Sequence, residues 1–163
     1  MTTILRDEAL DRDARSFSDA LGELVRVIQF RDRDRACCYD VSVSQCYALK
    51  AIMDHGSLTV NDLAAQLYLD KSTASRVAAG LEEKGYLTRE QDATDGRVVR
   101  LVATPTGSGL CGRIEADLAQ EYGEMLGEFD PEVRAAIIRL VERLGTSFAA
   151  RVDASGGSCC STR

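Results

Sequence analysis

The sequence predicts a mainly α-helical chain with one small β-hairpin, and three features predict it. Apolar residues recur at helical spacing toward both chain ends. The middle is a series of short segments, each opened by a residue that caps helices. Two short strand candidates, residues 87–91 and 97–103, flank a gap containing Asp95-Gly96, a strong hairpin signal.

The first element spans about residues 11–35. Phe17, Leu21, Leu24 and Ile28 fall on one stripe, and the alternating RDRDR (31–35) reads as a solvated helix end. A second helix starts after Ser42, whose side chain with Gln45 forms a capping box while Val41 and Cys46 sit at staple positions. It ends at His55-Gly56, where His55 reads as a polar cap. Thr59 caps a short third helix with Asp62 at its third position, and Asp70 caps a fourth that Gly85 ends in a left-handed turn. Thr104-Pro105 and Asp130-Pro131 are cap-plus-proline starts for two long helices. Leu110, Ile114, Leu118, Met125 and Leu126 line the fifth; Val133, Ile137, Leu140, Leu144 and Phe148 are expected to face inward from the sixth.

A chain of 163 residues, 45% hydrophobic and 28% charged, suits one globular domain or a module with helical arms. No apolar run is long enough for a membrane span, and the opening MTTILRDEALDRD lacks a leader's apolar core, so no membrane partner and a cytoplasmic setting are expected. The net charge of −6 is unevenly placed. Residues 106–153 carry five arginines against nine carboxylates, whereas residues 59–104 carry six basic groups against seven acidic ones. Acidity is concentrated outside the central segment.

That central segment carries the chemistry. Two capped helices on a tight turn, followed by a two-stranded ribbon, suit a winged helix-turn-helix, whose second helix enters the major groove. Its first turns, Lys71-Ser72-Thr73-Ala74-Ser75-Arg76, are short, polar and basic. Arg89, Arg97 and Arg100 flank the hairpin loop and could straddle a phosphate backbone. An ordinary capped amphipathic helix would look similar on this segment alone; the hairpin tips the balance. Catalysis is not expected, since the chain lacks GxSxG, HExxH, Cys-x-x-Cys and a phosphate-cradling loop. Gly107, Gly109 and Gly112 imitate part of GxGxxG but follow a helix start rather than a strand.

At VSVSQCYALKAI, LTVNDLAAQLYLDKSTASRVAAGLEEKGYLTRE, the DGR of residues 95–97 and LVATPTG, the chain resembles the MarR family of winged-helix regulators, over nearly all of residues 11–150. The resemblance implies a homodimer built from the first and last two helices, reading pseudo-palindromic double-stranded DNA. It implies a dimerisation region at 1–36 and 104–152 and a DNA-binding domain at 37–103; the small, polar composition after Arg151 separately reads as a mobile, cysteine-containing tail at 153–163. Ser72, Thr73, Ser75 and Arg76, with Lys71 beside them, then fall on reading positions. Arg97 falls on the wing arginine, and Asp95 on the acid that orients it. Two branches fit less well: zinc sensors use several histidines where this chain has one, and peroxide sensors carry a reactive cysteine inside the first helix.

Six cysteines in a cytosolic chain ask for a reason other than a disulfide framework. Cys37, Cys38 and Cys46 bracket the start of the second helix, where the helix dipole favours thiolates. With Cys159 and Cys160 from the tail, of the same or the other subunit, they would suit a thiophilic effector such as trivalent arsenic or antimony, or a soft metal ion. Cys111 reads as core. The leading expectation is a repressor released when these thiolates bind such a ligand, with no cofactor required. The alternatives are an organic aromatic or phenolic effector between reader and dimer helices, a thiol oxidation switch, and a dimeric interaction module that no longer binds DNA.

Overall fold

A computed structural model describes residues 8–154, apart from the side chains of residues 35–38. Among the described residues the order is α1 (Glu8–Cys38), α2 (Val43–His55), α3 (Val60–Gln66), α4 (Lys71–Glu83), β1 (Leu87–Gln91), β2 (Val99–Ala103), α5 (Pro105–Gly127) and α6 (Pro131–Ala154).

The helix starts are set locally. Ser42 with Gln45, and Thr59 with Asp62, form reciprocal capping boxes, and the side chains of Asp70 and Thr104 each accept an amide of the first turn. Each cap satisfies a donor that a helix start leaves open, worth about 1 kcal/mol. Gly56 and Gly85, both at positive φ, close α2 and follow α4. His55 Nδ1 donates to the Ala51 carbonyl at 2.9 Å, as a polar cap would.

The core lies under the reader. Leu49 and Ile52 of α2, Leu63 of α3, Leu81 of α4, Leu87 of β1, Leu101 of β2 and Leu110 of α5 are almost fully buried in one cluster. Cys111 is buried with them, as expected. The strands pair antiparallel from Leu87 opposite Ala103 to Gln91 opposite Val99. Leu58 extends this ribbon by exchanging backbone hydrogen bonds with Leu101, at 3.2 and 2.7 Å. α5 starts so close to the ribbon that a Cβ on Gly107 would lie 2.0 Å from the Tyr86 carbonyl oxygen. That contact, not phosphate binding, explains this glycine.

Three expectations need correction. The wing loop is wider than the Asp95-Gly96 signal suggested, because β2 starts at Val99 and Arg97 therefore lies in the turn. Asp92 causes this: its Oδ1 accepts the Thr94 and Asp95 amides at 2.8 and 3.2 Å, while its amide donates to the Val98 carbonyl. RDRDR is not uniformly solvated, since the Arg31 and Asp32 side chains are only 22% and 17% exposed. Finally, of the α6 stripe only Ile137 and Leu144 are half-buried within the protomer, while Val133, Leu140 and Phe148 do not face inward there. No α6 residue is buried, and Val133, Ile138, Leu140, Val141 and Phe148 are all exposed. Phe17, Leu24 and Phe30 of α1 and Met125 of α5 are exposed as well. A large apolar side chain gains about 1.5–3 kcal/mol on full burial, so these faces call for a partner.

Candidate DNA-reading surface and effector crevice

α4 presents its first two turns outward because Ala74, Ala78 and Leu81 point into the core. Lys71, Ser72 and Arg76 are exposed, and Thr73 and Ser75 are half-buried. These residues are linked. Asp70 accepts from Ser72 Oγ at 2.5 Å and from Thr73 Oγ1 at 2.7 Å, and Arg76 Nη2 donates to Thr73 Oγ1 at 3.0 Å. The hydroxyl bonds from Ser72 and Thr73 hold the Asp70 carboxyl well below the usual carboxylate range. Ahead of them, Tyr68 is 61% exposed and sits at φ 52°, a conformation costing a non-glycine residue roughly 1–2 kcal/mol. Sequence reasoning passed over it.

The wing arginines divide. Arg97 is exposed at the loop tip, with its amide donating to Asp95 Oδ1 at 3.0 Å. Asp95 thus fixes the Arg97 backbone, whereas the family pattern implied an acid orienting the guanidinium. Arg89 is ion-paired with Glu82 at 2.9 Å and Arg100 with Asp92, so each is already neutralised within the protomer.

Between α1, α2 and α5 lies a crevice of about 260 Å³, lined by Arg31, Tyr39, Cys46, Tyr47, Ile114 and Tyr122 among others. Its polar rim is tightly bonded. Arg31 Nη2 lies 2.8 Å from Asp32, and the guanidinium sits 5.2 Å from the Tyr122 ring centroid. Burial opposes the charge on Arg31, but its bonds to Asp32 and Tyr122 outweigh this and raise its pKa. Tyr47 donates to Asp32 at 2.9 Å; burial, then this bond, push the phenol up to about 12. Lys50 bridges Glu115 at 2.7 Å and Asp54 at 3.1 Å, and Tyr39 donates to Asp117. None of the polar residues at this rim was singled out in the sequence. Arg31 and Asp32 were hidden in the charge run, and the only signal was three tyrosines, at 39, 47 and 122, spread over distant segments.

The expected thiol cluster is only partly visible. The side chains of Cys37 and Cys38, and all of Cys159 and Cys160, lie outside the described residues. Cys46 is half-buried on the crevice wall, packed against the core that contains Val41. Burial first, then Asp32 and Cys111, push its thiol upward, so the expected bias toward thiolate does not hold for Cys46. Burial raises Cys111 as well. Among the described residues no three His, Cys, Asp or Glu side chains gather into a metal-holding group, and no helix is long and apolar enough to cross a membrane.

Capped α3 and α4, a β-ribbon wing and long helices at both ends define a winged helix-turn-helix protein. A sequence model of the MarR family matches residues 39–98. The organic hydroperoxide resistance transcriptional regulator of Bacillus subtilis is 32% identical over 112 residues, covering 64% of this chain and 73% of that one. YxaD of the same organism, an uncharacterized HTH-type transcriptional regulator, is 28% identical over 78% of this chain and 90% of its own. A MarR family protein from Bacillus stearothermophilus superposes with a TM-score of 0.77 at 22% identity, over 85% of this chain and 96% of that one. The chain belongs to the MarR family of transcriptional regulators.

Proposed function

We propose that the protein is a homodimeric repressor that places α4 of each protomer in the major groove of a pseudo-palindromic operator and lets go when an organic ligand fills the crevice. The crevice is the observation that carries this reading: an apolar, tyrosine-rich hollow where α1, an arm helix, meets α2, which supports the reader. Both its cations, Arg31 and Lys50, are already paired with carboxylates. An aromatic acid would have to displace one, so an uncharged aromatic or phenolic ligand is favoured. Occupancy would shift the arms against the readers, which must meet major grooves about 34 Å apart. A preference of about 2.7 kcal/mol for the non-binding state lowers operator affinity a hundredfold. Operator occupancy alone, by excluding polymerase, accounts for repression without further parts.

The test uses a duplex selected by the protein from a random pool, with phenols, aromatic acids and aromatic cations titrated into the complex under reducing conditions. Release by a phenol, abolished when Ile114→Phe fills the crevice, is expected. Release that persists in Ile114→Phe would place the effector elsewhere.

A second reading keeps the thiols: Cys37, Cys38, Cys46, Cys159 and Cys160 bind trivalent arsenic, antimony or a soft metal ion, or are oxidised. Its support is positional, since α1 ends on Cys37-Cys38, one residue before Tyr39 of the crevice, with Cys46 on the wall. The name of the hydroperoxide-resistance relative favours the oxidation form. Arsenite, antimonite, cadmium, zinc, copper and peroxide form the second arm. Release that is lost in both Cys37→Ser/Cys38→Ser and Cys159→Ser/Cys160→Ser would establish this reading over the first.

A further inference from the structure

The first turn of α4 is bonded in a way that decides where its hydroxyl protons point. Asp70 Oδ1 accepts from Ser72 Oγ at 2.5 Å and from the Thr73 amide at 2.9 Å, and Oδ2 accepts from Thr73 Oγ1 at 2.7 Å. With its pKa depressed by these bonds, Asp70 is ionised wherever duplex DNA persists. An ionised carboxylate only accepts, so the hydroxyls must be the donors. A hydroxyl has one proton and two lone pairs. Once Ser72 commits its proton to Asp70, only lone pairs remain to face outward. Thr73 is in the same state, and one of its lone pairs takes Arg76 Nη2 at 3.0 Å. Of the two, Ser72 is the exposed one.

We propose that Asp70 is a specificity-determining residue of the reader: it makes the Ser72 hydroxyl an obligatory acceptor, which selects adenine or cytosine at the operator position that Ser72 faces. The inference rests on α4 being the DNA-reading helix. In the major groove adenine N6 and cytosine N4 donate, whereas guanine O6 and N7 and thymine O4 accept. A free serine suits either kind of base, because its proton can turn. Turning it here would give up a bond to a charged acceptor, roughly twice as strong as a neutral one. Arg76 keeps free donors and remains suited to guanine. The reader therefore offers an acceptor and a donor side by side, and Asp70, which need not touch DNA, sets the first.

The test selects duplexes from a random pool with the parent, Ser72→Ala and Asp70→Asn. Ser72→Ala marks the position that Ser72 reads, as the one whose preference flattens. Asn caps helices about as well as Asp, so the fold is kept and thermal melting checks it. Its amide has one accepting oxygen and two N–H donors; it can donate to Ser72 and free the serine proton to face outward. The parent should prefer adenine or cytosine there by roughly three- to tenfold, the range for one hydrogen bond. Asp70→Asn should lose that preference or turn it toward guanine or thymine. Asp70→Ser, also a cap-former with a hydroxyl that can donate, gives the same reading should the Asn variant melt early. The proposal is overturned if Ser72→Ala flattens no position, if the parent prefers guanine or thymine there, or if a folded Asp70 variant keeps the parent's preference. A parent that selects no duplex at all would instead overturn the DNA-reading function on which the proposal stands.

Discussion

Arg31 of α1 is held twice by Tyr122 of α5: its Nη2 donates to the phenol oxygen at 3.0 Å, and its guanidinium lies over the ring. This contact ties an arm helix to the helix that leaves the wing. A double-mutant cycle between Arg31→Met and Tyr122→Leu, read by urea denaturation, should give a coupling of about 1 kcal/mol. Additive single effects would show that the contact does not join the two helices.

On DNA, Arg76→Ala should weaken operator binding by roughly 1–3 kcal/mol and relax base preference. Arg97→Ala should weaken all sequences alike and flatten the salt dependence. Arg89→Ala and Arg100→Ala should leave the salt slope unchanged, because Glu82 and Asp92 already neutralise those charges. Anisotropy titrations at several salt concentrations separate these cases. A slope that falls equally for all four arginines would dismiss the division of the wing.

Light scattering should return about twice the 17.7 kDa chain mass. Leu140→Glu with Val141→Glu, on the exposed face of α6, should return the single mass and remove operator binding. Retention of the dimer in that variant would place the interface elsewhere.

Asp70 also makes a prediction about acid. Its carboxyl is depressed in the fold, so its stabilisation is present above the unfolded value of about 4 and is lost as pH falls through the folded value. Asp70→Ala should melt below the parent at neutral pH, and the gap should close progressively below about pH 4. A gap that stays constant in acid would mean that the carboxylate charge contributes nothing to the cap.

Gly107→Ala should destabilise the chain by about 1–3 kcal/mol or more, since its Cβ would meet the rigid Tyr86 backbone rather than a movable side chain. Gly109→Ala, whose nearest neighbour is the far end of Arg113 at 4.0 Å, should be neutral or stabilising. Chemical denaturation of the pair distinguishes steric need from a mere run of glycines.

What could be read in advance divides along range. The caps at Ser42, Thr59, Asp70 and Thr104 were legible because each is closed by an atom within three residues. The outward placement of Ser72 and Arg76 was legible through their position after such a cap, and both are exposed. Arg31 and Asp32 were not, because an alternating charge run looks the same whether it meets water or Tyr47 and Tyr122 from other helices. The loop tip was misjudged because the turn is closed by the Asp92 carboxylate on the Thr94 and Asp95 amides, ahead of the Asp95-Gly96 pair that carried the hairpin signal. Periodicity marks the α6 face as apolar without saying whose core it joins; the expected dimer of the first and last two helices is what supplied a destination outside the protomer.

The unburied α6 has a consequence for dosage. A helix of 24 residues with none of them buried in its own protomer draws little of the packing from which most helical stability in proteins comes. Its order must come from whatever covers it, which in a homodimer is another copy. Folding and assembly are then one equilibrium, governed by mass action. Copy number would set what fraction of chains is fully folded as well as how many operators are covered, and scarce protein would be lost to proteolysis before it was lost from DNA.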